Sequence, residues 1–307
     1  MFNGIIEPLK IQTSSKGNLK NLTFVAKDLL DVQGLVTGGG NPDWKRTHTP
    51  ATKNCIAIQK LLDQGACLIG KTVTDELAFS LDGLNMHFPI PQNPNFDGCI
   101  PGGSSSGSAA AVASGCADFA LGTDTAGSIR VPAAYCGIYG MRPTHARIST
   151  EGTIPLGTTF DTIGWMSNSL DIMNKVGSTL LNNSIAVPKM QQICLLEDGI
   201  AILDQAWQKG FMNKWHAISE LCACSGFIEN CKIELASLDE PLGLDSFSES
   251  FNHARGYEAW KAHGKWFKET NPVMEPSIEQ RLLACAQINE HDYKAALGKR
   301  SNSIKQI

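Results

Sequence analysis

Along this chain apolar residues come in short unbroken bursts, separated by turn-rich stretches and by one clear helical period. The run Leu-Thr-Phe-Val-Ala at 22–26 reads as a buried strand that leads straight into Lys27 and Asp28. Residues 35–53 are dense in Gly, Pro, Asn and Thr and read as turns. Over 54–65, Ile56, Ile58, Leu61 and Leu62 share one helical face, and Gly65 supplies a C-terminal stop. Residues 66–71 (Ala-Cys-Leu-Ile-Gly-Lys) are short and apolar enough for a second buried strand. Strands and helices alternating in this way predict helices packed on a mostly parallel or mixed sheet, an α/β class.

A Gly/Ser block at 102–108 then opens a run of small residues through 115, which lets a helix approach its neighbours closely. Phe119-Ala-Leu-Gly leads into Asp124-Thr-Ala-Gly-Ser-Ile-Arg-Val-Pro, a second loop-to-helix transition. Past about residue 170 the pattern weakens. The stretches 207–222 and 277–288 read as amphipathic helices and 236–246 as loop, with no internal repeat and no low-complexity tract.

Composition narrows the class of function. The 307 residues, 42% of them hydrophobic, suffice for one large domain with a sizeable core. A net charge of −4 argues against nucleic acid or an anionic membrane as an obligatory partner. No run of about 20 apolar residues occurs, and the first residues carry no basic-then-apolar leader, so a soluble protein of the cytoplasm or nucleoplasm is the expectation. The 10 cysteines form no C-x-x-C pair, and Cys222-Ala-Cys224 is spaced too tightly for a zinc knuckle. They read as reduced structural thiols.

The chemistry concentrates in two Ser-bearing glycine loops with a lysine upstream. One is Pro101-Gly-Gly-Ser104-Ser105-Ser106-Gly-Ser108; the other is Gly122-Thr-Asp-Thr-Ala-Gly127-Ser128-Ile-Arg130-Val-Pro132. Glycine lets backbone N–H groups face a reacting centre. Amide hydrolysis needs such donors for its tetrahedral intermediate, and a serine nucleophile needs a nearby base. Other readings compete. A flexible linker fits poorly between apolar segments. A phosphate loop would need the G-K-[ST] ending that Gly107-Ser108-Ala109 lacks. A Ser-His-Asp triad could draw on His48, His87 or His145, but no G-x-S-x-G elbow is centred on Ser104 or Ser128. Taken alone, Lys27 reads equally well as a surface lysine at a strand end, and residue types reach a hydrolase and no further.

The combined pattern resembles the amidase signature family: Val25-Ala-Lys27-Asp28, then Gly-Gly-Ser-Ser-Ser-Gly-Ser, then Asp-Thr-x-Gly-Ser-Ile-Arg-x-Pro. The stretch Gly40-Asn-Pro-Asp-Trp-Lys-Arg-Thr-His48 and the segment Gly70-Lys-Thr-Val-Thr-Asp-Glu76 are similar to its plant amidase 1 subgroup, known for converting indole-3-acetamide to the auxin indole-3-acetic acid. The similarity is strong over 20–168 and weaker around 254–283. It implies a single amidase domain over 1–307, with a central mixed sheet flanked by helices on both faces. It also implies a Ser-cisSer-Lys triad in which Ser128 is the nucleophile, Ser104 the cis-linked bridge and Lys27 the base, neutral through burial. The backbone N–H groups of Thr125, Ala126, Gly127 and Ser128 would form the oxyanion hole. The substrate would be a small carboxylic amide, with no cofactor and no metal. Lys71 does not match the family's catalytic Lys-Asp; Asp124 and Arg130 read as holding the loop together, and Ser105 and Ser106 as supporting the relay by hydrogen bonding rather than as catalytic.

Two departures from the family pattern stand out. Its two glycines before the nucleophile are here Ala126-Gly127, and a left-handed backbone at 126 would strain alanine by on the order of 1 kcal/mol. Family members are also longer, so the chain reads as C-terminally truncated, without a segment that adds to the sheet and pocket. The alternative is a catalytically inactive amidase-like protein related to a chloroplast outer-envelope import receptor.

Overall fold

A computed structural model describes residues 3–181, 192–224, 232–237 and 244–306. In chain order the elements are β1 (Ile5–Ile11), β2 (Thr23–Lys27), α1 (Pro42–Thr47), α2 (Ile56–Asp63), β3 (Cys67–Thr72), α3 (Ser106–Ala113), β4 (Phe119–Asp124), α4 (Arg130–Tyr135), β5 (Tyr139–Met141), β6 (Thr162–Ser167), α5 (Leu170–Leu181), β7 (Gln192–Leu196), α6 (Glu197–Ala201), α7 (Gln205–Cys224), β8 (Lys232–Ala236), α8 (Leu244–Thr270), α9 (Pro276–Cys285) and α10 (Glu290–Gln306). They fall into two compact units.

The first unit, Met1–Ser184 with His253–Tyr293, holds a six-stranded sheet in the order β1-β3-β2-β4-β6-β5. Its centre, β3-β2-β4, is parallel, and the flanking pairs are antiparallel, so the sheet is mixed. Side-chain alternation explains why it is covered twice. Phe24 and Ala26, Phe119 and Leu121, and Ile163 and Trp165 point to one face, where α2 and α5 bury Ile58, Leu61, Leu62, Val176 and Leu180. Phe24 and Phe119 stack there at 5.1 Å. Val25, Ala120 and Met166 point to the other face, against Ala109, Ala111 and Val112 of α3 and Ala133 of α4. The small residues of α3 let that helix lie close on the sheet.

A third cluster joins Trp44 of α1 to Leu77, Phe79, Ala259, Ile278 and Leu282. The turn-rich stretch 35–53 therefore holds a helix that the sequence did not reveal. Asn41 caps it, accepting from the N–H groups of Asp43 and Trp44, with Pro42 in the first turn. Trp44 is set into this core and stacks on His48.

The second unit, Ile185–Asn252 with Lys294–Ile307, contains a parallel pair, β7 and β8, in register from Gln192↔Lys232 to Leu196↔Ala236. The helices expected over 207–222 and 277–288 correspond to α7 and α9. In the stretch read as loop, 236–246, Ala236 closes β8 and 244 onward is α8, while 238–243 lie outside the described residues. Six cysteines carry free thiols; the side chains of Cys194, Cys222, Cys224 and Cys231 lie outside the described residues. Among the described residues, no helix is long and apolar enough to cross a membrane.

Candidate active site

Lys27 is the last residue of β2, a central strand with neighbours on both sides, and its side chain is fully buried. The ammonium form loses its hydration there, so burial lowers the pKa of Lys27 to about 7, against the opposing charges of Asp75, Asp124 and Asp161. Two hydroxyls meet its Nζ, which donates to Ser104 Oγ at 2.6 Å and to Thr123 Oγ1 at 2.9 Å. Among the described residues no carboxylate lies within ion-pairing distance of this nitrogen.

Lys71, on the adjacent strand, shows the contrast. It is equally buried, but its Nζ lies 2.7 Å from Asp28 Oδ1. A buried cation held by its own carboxylate is a structural pair. Lys27, with hydroxyl partners only, is left able to exchange a proton.

Ser104 lies in the turn before α3, and the Gly103–Ser104 peptide bond is cis. Ser128 sits between β4 and α4, 2% exposed. The two loops meet through the backbone, where Ser105 N–H donates to the Ser128 carbonyl at 3.3 Å. Among the described residues no hydroxyl-to-hydroxyl bond joins Ser104 and Ser128. The Ser105 hydroxyl donates to the Thr123 carbonyl at 3.3 Å, and Ser108 donates to that of Leu121 at 3.0 Å, so both tie the first loop to β4.

The second loop is wrapped around one carboxylate. Asp124 accepts from the N–H groups of Gly127 (2.8 Å), Ile129 (3.2 Å) and Arg130 (3.3 Å), and from the guanidinium groups of Arg130 and Arg142. Burial pushes its pKa up, but the Arg130 hydrogen bonds and the two guanidinium charges outweigh it and hold it below the usual carboxylate range. Asp124 and Arg130 thus shape the loop. Thr125 donates to Asp161 Oδ1 at 2.5 Å, and Asp161 also takes the N–H groups of Leu156 and Gly157.

Ala126 carries no left-handed strain. The left-handed position of this loop is Gly127, with φ of 135°, and Ala126 is an exposed residue outside the positive-φ set. Alanine is therefore accommodated at 126. The expectation of four oxyanion donors needs narrowing, because the Gly127 N–H is already given to Asp124. Among the described residues, the N–H groups of Ala126 and Ser128 have no protein acceptor.

None of the three histidines weighed as a base reaches either serine. His48 stacks on Trp44, His87 lies 3.0 Å from Glu76, and His145 faces the Thr158 carbonyl. Among the described residues no group of three or more His, Cys, Asp or Glu side chains could hold a metal ion. Thr123 and Asp75 were both inside the quoted motifs, yet nothing in their residue type marked them as neighbours of Lys27. Thr123→Val keeps the shape and removes one partner of Nζ; a loss of about 1 kcal/mol in denaturant-derived stability is expected, and an unchanged midpoint would show the contact to be idle.

The amidase profile matches residues 8–207. This chain belongs to the amidase signature family. It is 46% identical to Amidase 1 of Arabidopsis thaliana over 311 aligned positions, spanning 92% of this chain and 72% of that protein. It is 33% identical to Translocon at the outer membrane of chloroplasts 64 of Pisum sativum, spanning 92% of this chain and 51% of that one. A crystal structure of an amidase superposes with a TM-score of 0.82 at 30% identity, over 94% of this chain and 63% of that one. The mixed sheet with helices on both faces is the fold of these amidases.

Proposed function

We propose that the chain is a serine-dependent amidase in which Ser128 attacks the amide carbonyl, Ser104 passes on its proton and Lys27 receives it. One observation carries the reading: a fully buried lysine, its pKa brought to about 7, with its nitrogen 2.6 Å from the hydroxyl of Ser104. A base works best when its pKa lies near the working pH. The N–H groups of Ala126 and Ser128, free of protein acceptors, take the developing oxyanion, with Thr125 the further candidate beside them. Lys27 then returns the proton by way of Ser104 to the leaving nitrogen and ammonia departs; water attacks the acyl-enzyme, its proton is taken up by the same relay and given back to Ser128, and the acid is released. The substrate is a small carboxylic amide. Similarity to Amidase 1 and the subgroup segments around Trp44 and Glu76 favour indole-3-acetamide; a cytoplasmic location is part of the same proposal.

A second reading, a non-catalytic amidase-like protein, is favoured by the 33% identity to the pea translocon protein. A fluorophosphonate probe separates the two. Labelling of Ser128 that vanishes in Ser128→Ala is expected, together with ammonia release from indole-3-acetamide within a panel of amides. A folded protein that takes up no probe at any pH would favour the second reading.

A further inference from the structure

We infer that Asp75 is a positioning residue of the relay, its buried carboxylate acting as counter-charge to the ammonium that Lys27 becomes on receiving the Ser128 proton. The inference rests on the amidase reading. Asp75 touches the relay loop twice. Its N–H donates to the Ser104 carbonyl at 3.3 Å, so it is bonded to the peptide of the relay serine itself. Its carboxylate lies against Gly103, where an added Cβ would come within 2.5 Å of Oδ2 and 2.8 Å of Oδ1. Only glycine fits beside it. The two residues after Glu76, Leu77 and Ala78, hold φ of 49° and 61° while buried, a backbone state that persists only where the surroundings enforce it. The segment carrying Asp75 is thus pinned in place.

The electrostatic surroundings set Asp75 apart from the other carboxylates near Lys27. Asp124 is compensated by Arg130 and Arg142. Asp161 is satisfied by Thr125 and two backbone N–H groups. Asp75 is fully buried, takes the Gly83 N–H on Oδ2 at 3.1 Å, and has no hydrogen-bond partner on Oδ1. Among the described residues no cation lies within ion-pairing distance of it. Burial raises its pKa to about 6, with Asp82 adding to the rise, while the Gly83 N–H, the charge of Lys27 and the Ser80 hydroxyl oppose it. Of the carboxylates that favour the charged form of Lys27, Asp75 acts most strongly.

The proton balance gives this charge its use. As the Ser128 oxygen bonds to the carbonyl carbon, its proton passes to Ser104 and the Ser104 proton passes to Lys27 Nζ. The carbonyl oxygen gains a negative charge and Nζ a positive one. A buried ammonium without a counter-charge is strongly disfavoured. Asp75 stabilises that ammonium in the transition state, and the same attraction sets the pH below which Lys27 arrives already protonated.

The test is Asp75→Asn, which keeps the shape and an oxygen for the Gly83 N–H but removes the charge. Fluorophosphonate labelling of Ser128 and amide turnover are each followed against pH. The midpoint of the acid limb is expected to move down by about one pH unit, as the opposite charge that acts most strongly on Lys27 is removed. The limiting rate at high pH is expected to fall about tenfold. A rate that falls equally at every pH with the midpoint unmoved would reduce Asp75 to a structural role and overturn the inference. Asp75→Ser carries the same expectation should the asparagine protein fail to fold. A third measurement needs no change at Asp75. In Ser128→Ala protein, the NMR titration of the Lys27 ε-carbon is expected to show a second inflection at the Asp75 midpoint, as for coupled groups; a single inflection overturns the pairing. Wild-type protein that never labels Ser128 removes the amidase reading instead, and the NMR titration still reports on the pair.

Discussion

Ser128→Ala is expected to lower kcat for amide hydrolysis by about 10⁴-fold or more, and alanine at Ser104 or Lys27 to do nearly the same, because the three groups work as one unit. Removing the nucleophile leaves only substrate binding and the oxyanion donors. Removing the base leaves a hydroxyl with no proton acceptor, since Lys27 Nζ meets Ser104 directly and none of His48, His87 and His145 bonds to either serine. The diagnostic is non-additivity. Lys27→Ala with Ser128→Ala should be no slower than the worse single variant. Single-turnover ammonia release measures this. A Ser128→Ala protein retaining a tenth of wild-type activity would remove Ser128 from the mechanism. Two losses that multiply would show Lys27 acting outside the serine relay. Fold damage is easily separated, since Ser128→Ala deletes one oxygen and should shift Tm only slightly.

Much of the first unit could be read from the chain because its central strands are short, apolar and punctuated. The run at 22–26 became β2 one residue later, 66–71 became β3, and the helix over 54–65 ended at Gly65, whose φ is +89°. What escaped notice did so for physical reasons. β1 carries Pro8, which suits an edge strand but weakens a strand pattern. β6, Thr-Ile-Gly-Trp-Met-Ser, is buried on both faces and so shows no alternation. Helix α8 buries Ala254, Glu258, Ala259 and His263, a helical face made of small and polar groups, so no apolar stripe marks it. Glu258 is satisfied there by Thr159 and Tyr293, partners far away in sequence. The site divides in the same way. Lys27 and the serines could be picked out only through the family resemblance that their long motifs carry, because by residue type alone Lys27 reads equally well as a surface lysine at the end of β2. Asp75 could not be picked out, because an aspartate acquires its meaning only from burial and from what stands beside it.

Lys27→Met is expected to make the protein more stable near neutral pH while abolishing turnover. In the unfolded chain this lysine titrates near its ordinary value of 10.5; in the fold it titrates near 7. Between those values the unfolded state binds more protons, so the stability of the native protein rises with pH across that window. At about 1.4 kcal/mol per unit, burial of Lys27 costs on the order of 4 kcal/mol at pH 7 and about 2 at pH 9. Methionine occupies a similar unbranched volume and carries no charge. It does strip the Ser104 and Thr123 hydroxyls of a partner, a cost of about 1–3 kcal/mol that does not depend on pH. The net gain at pH 7 is therefore about 1–3 kcal/mol, and it should shrink by about 2 kcal/mol at pH 9. Loss of the Lys27 charge also leaves Asp75 harder to ionise, which lowers the stability of the variant as pH rises and so acts in the same direction. Denaturant unfolding of both proteins at the two pH values measures the difference. A variant whose advantage is equal at pH 7 and pH 9 would mean that Lys27 stays protonated in the fold across that range, which would end its assignment as a base poised near neutrality. On the proposed mechanism a destabilising lysine is kept at the end of a central strand because the chemistry requires an amine that can lose its proton there.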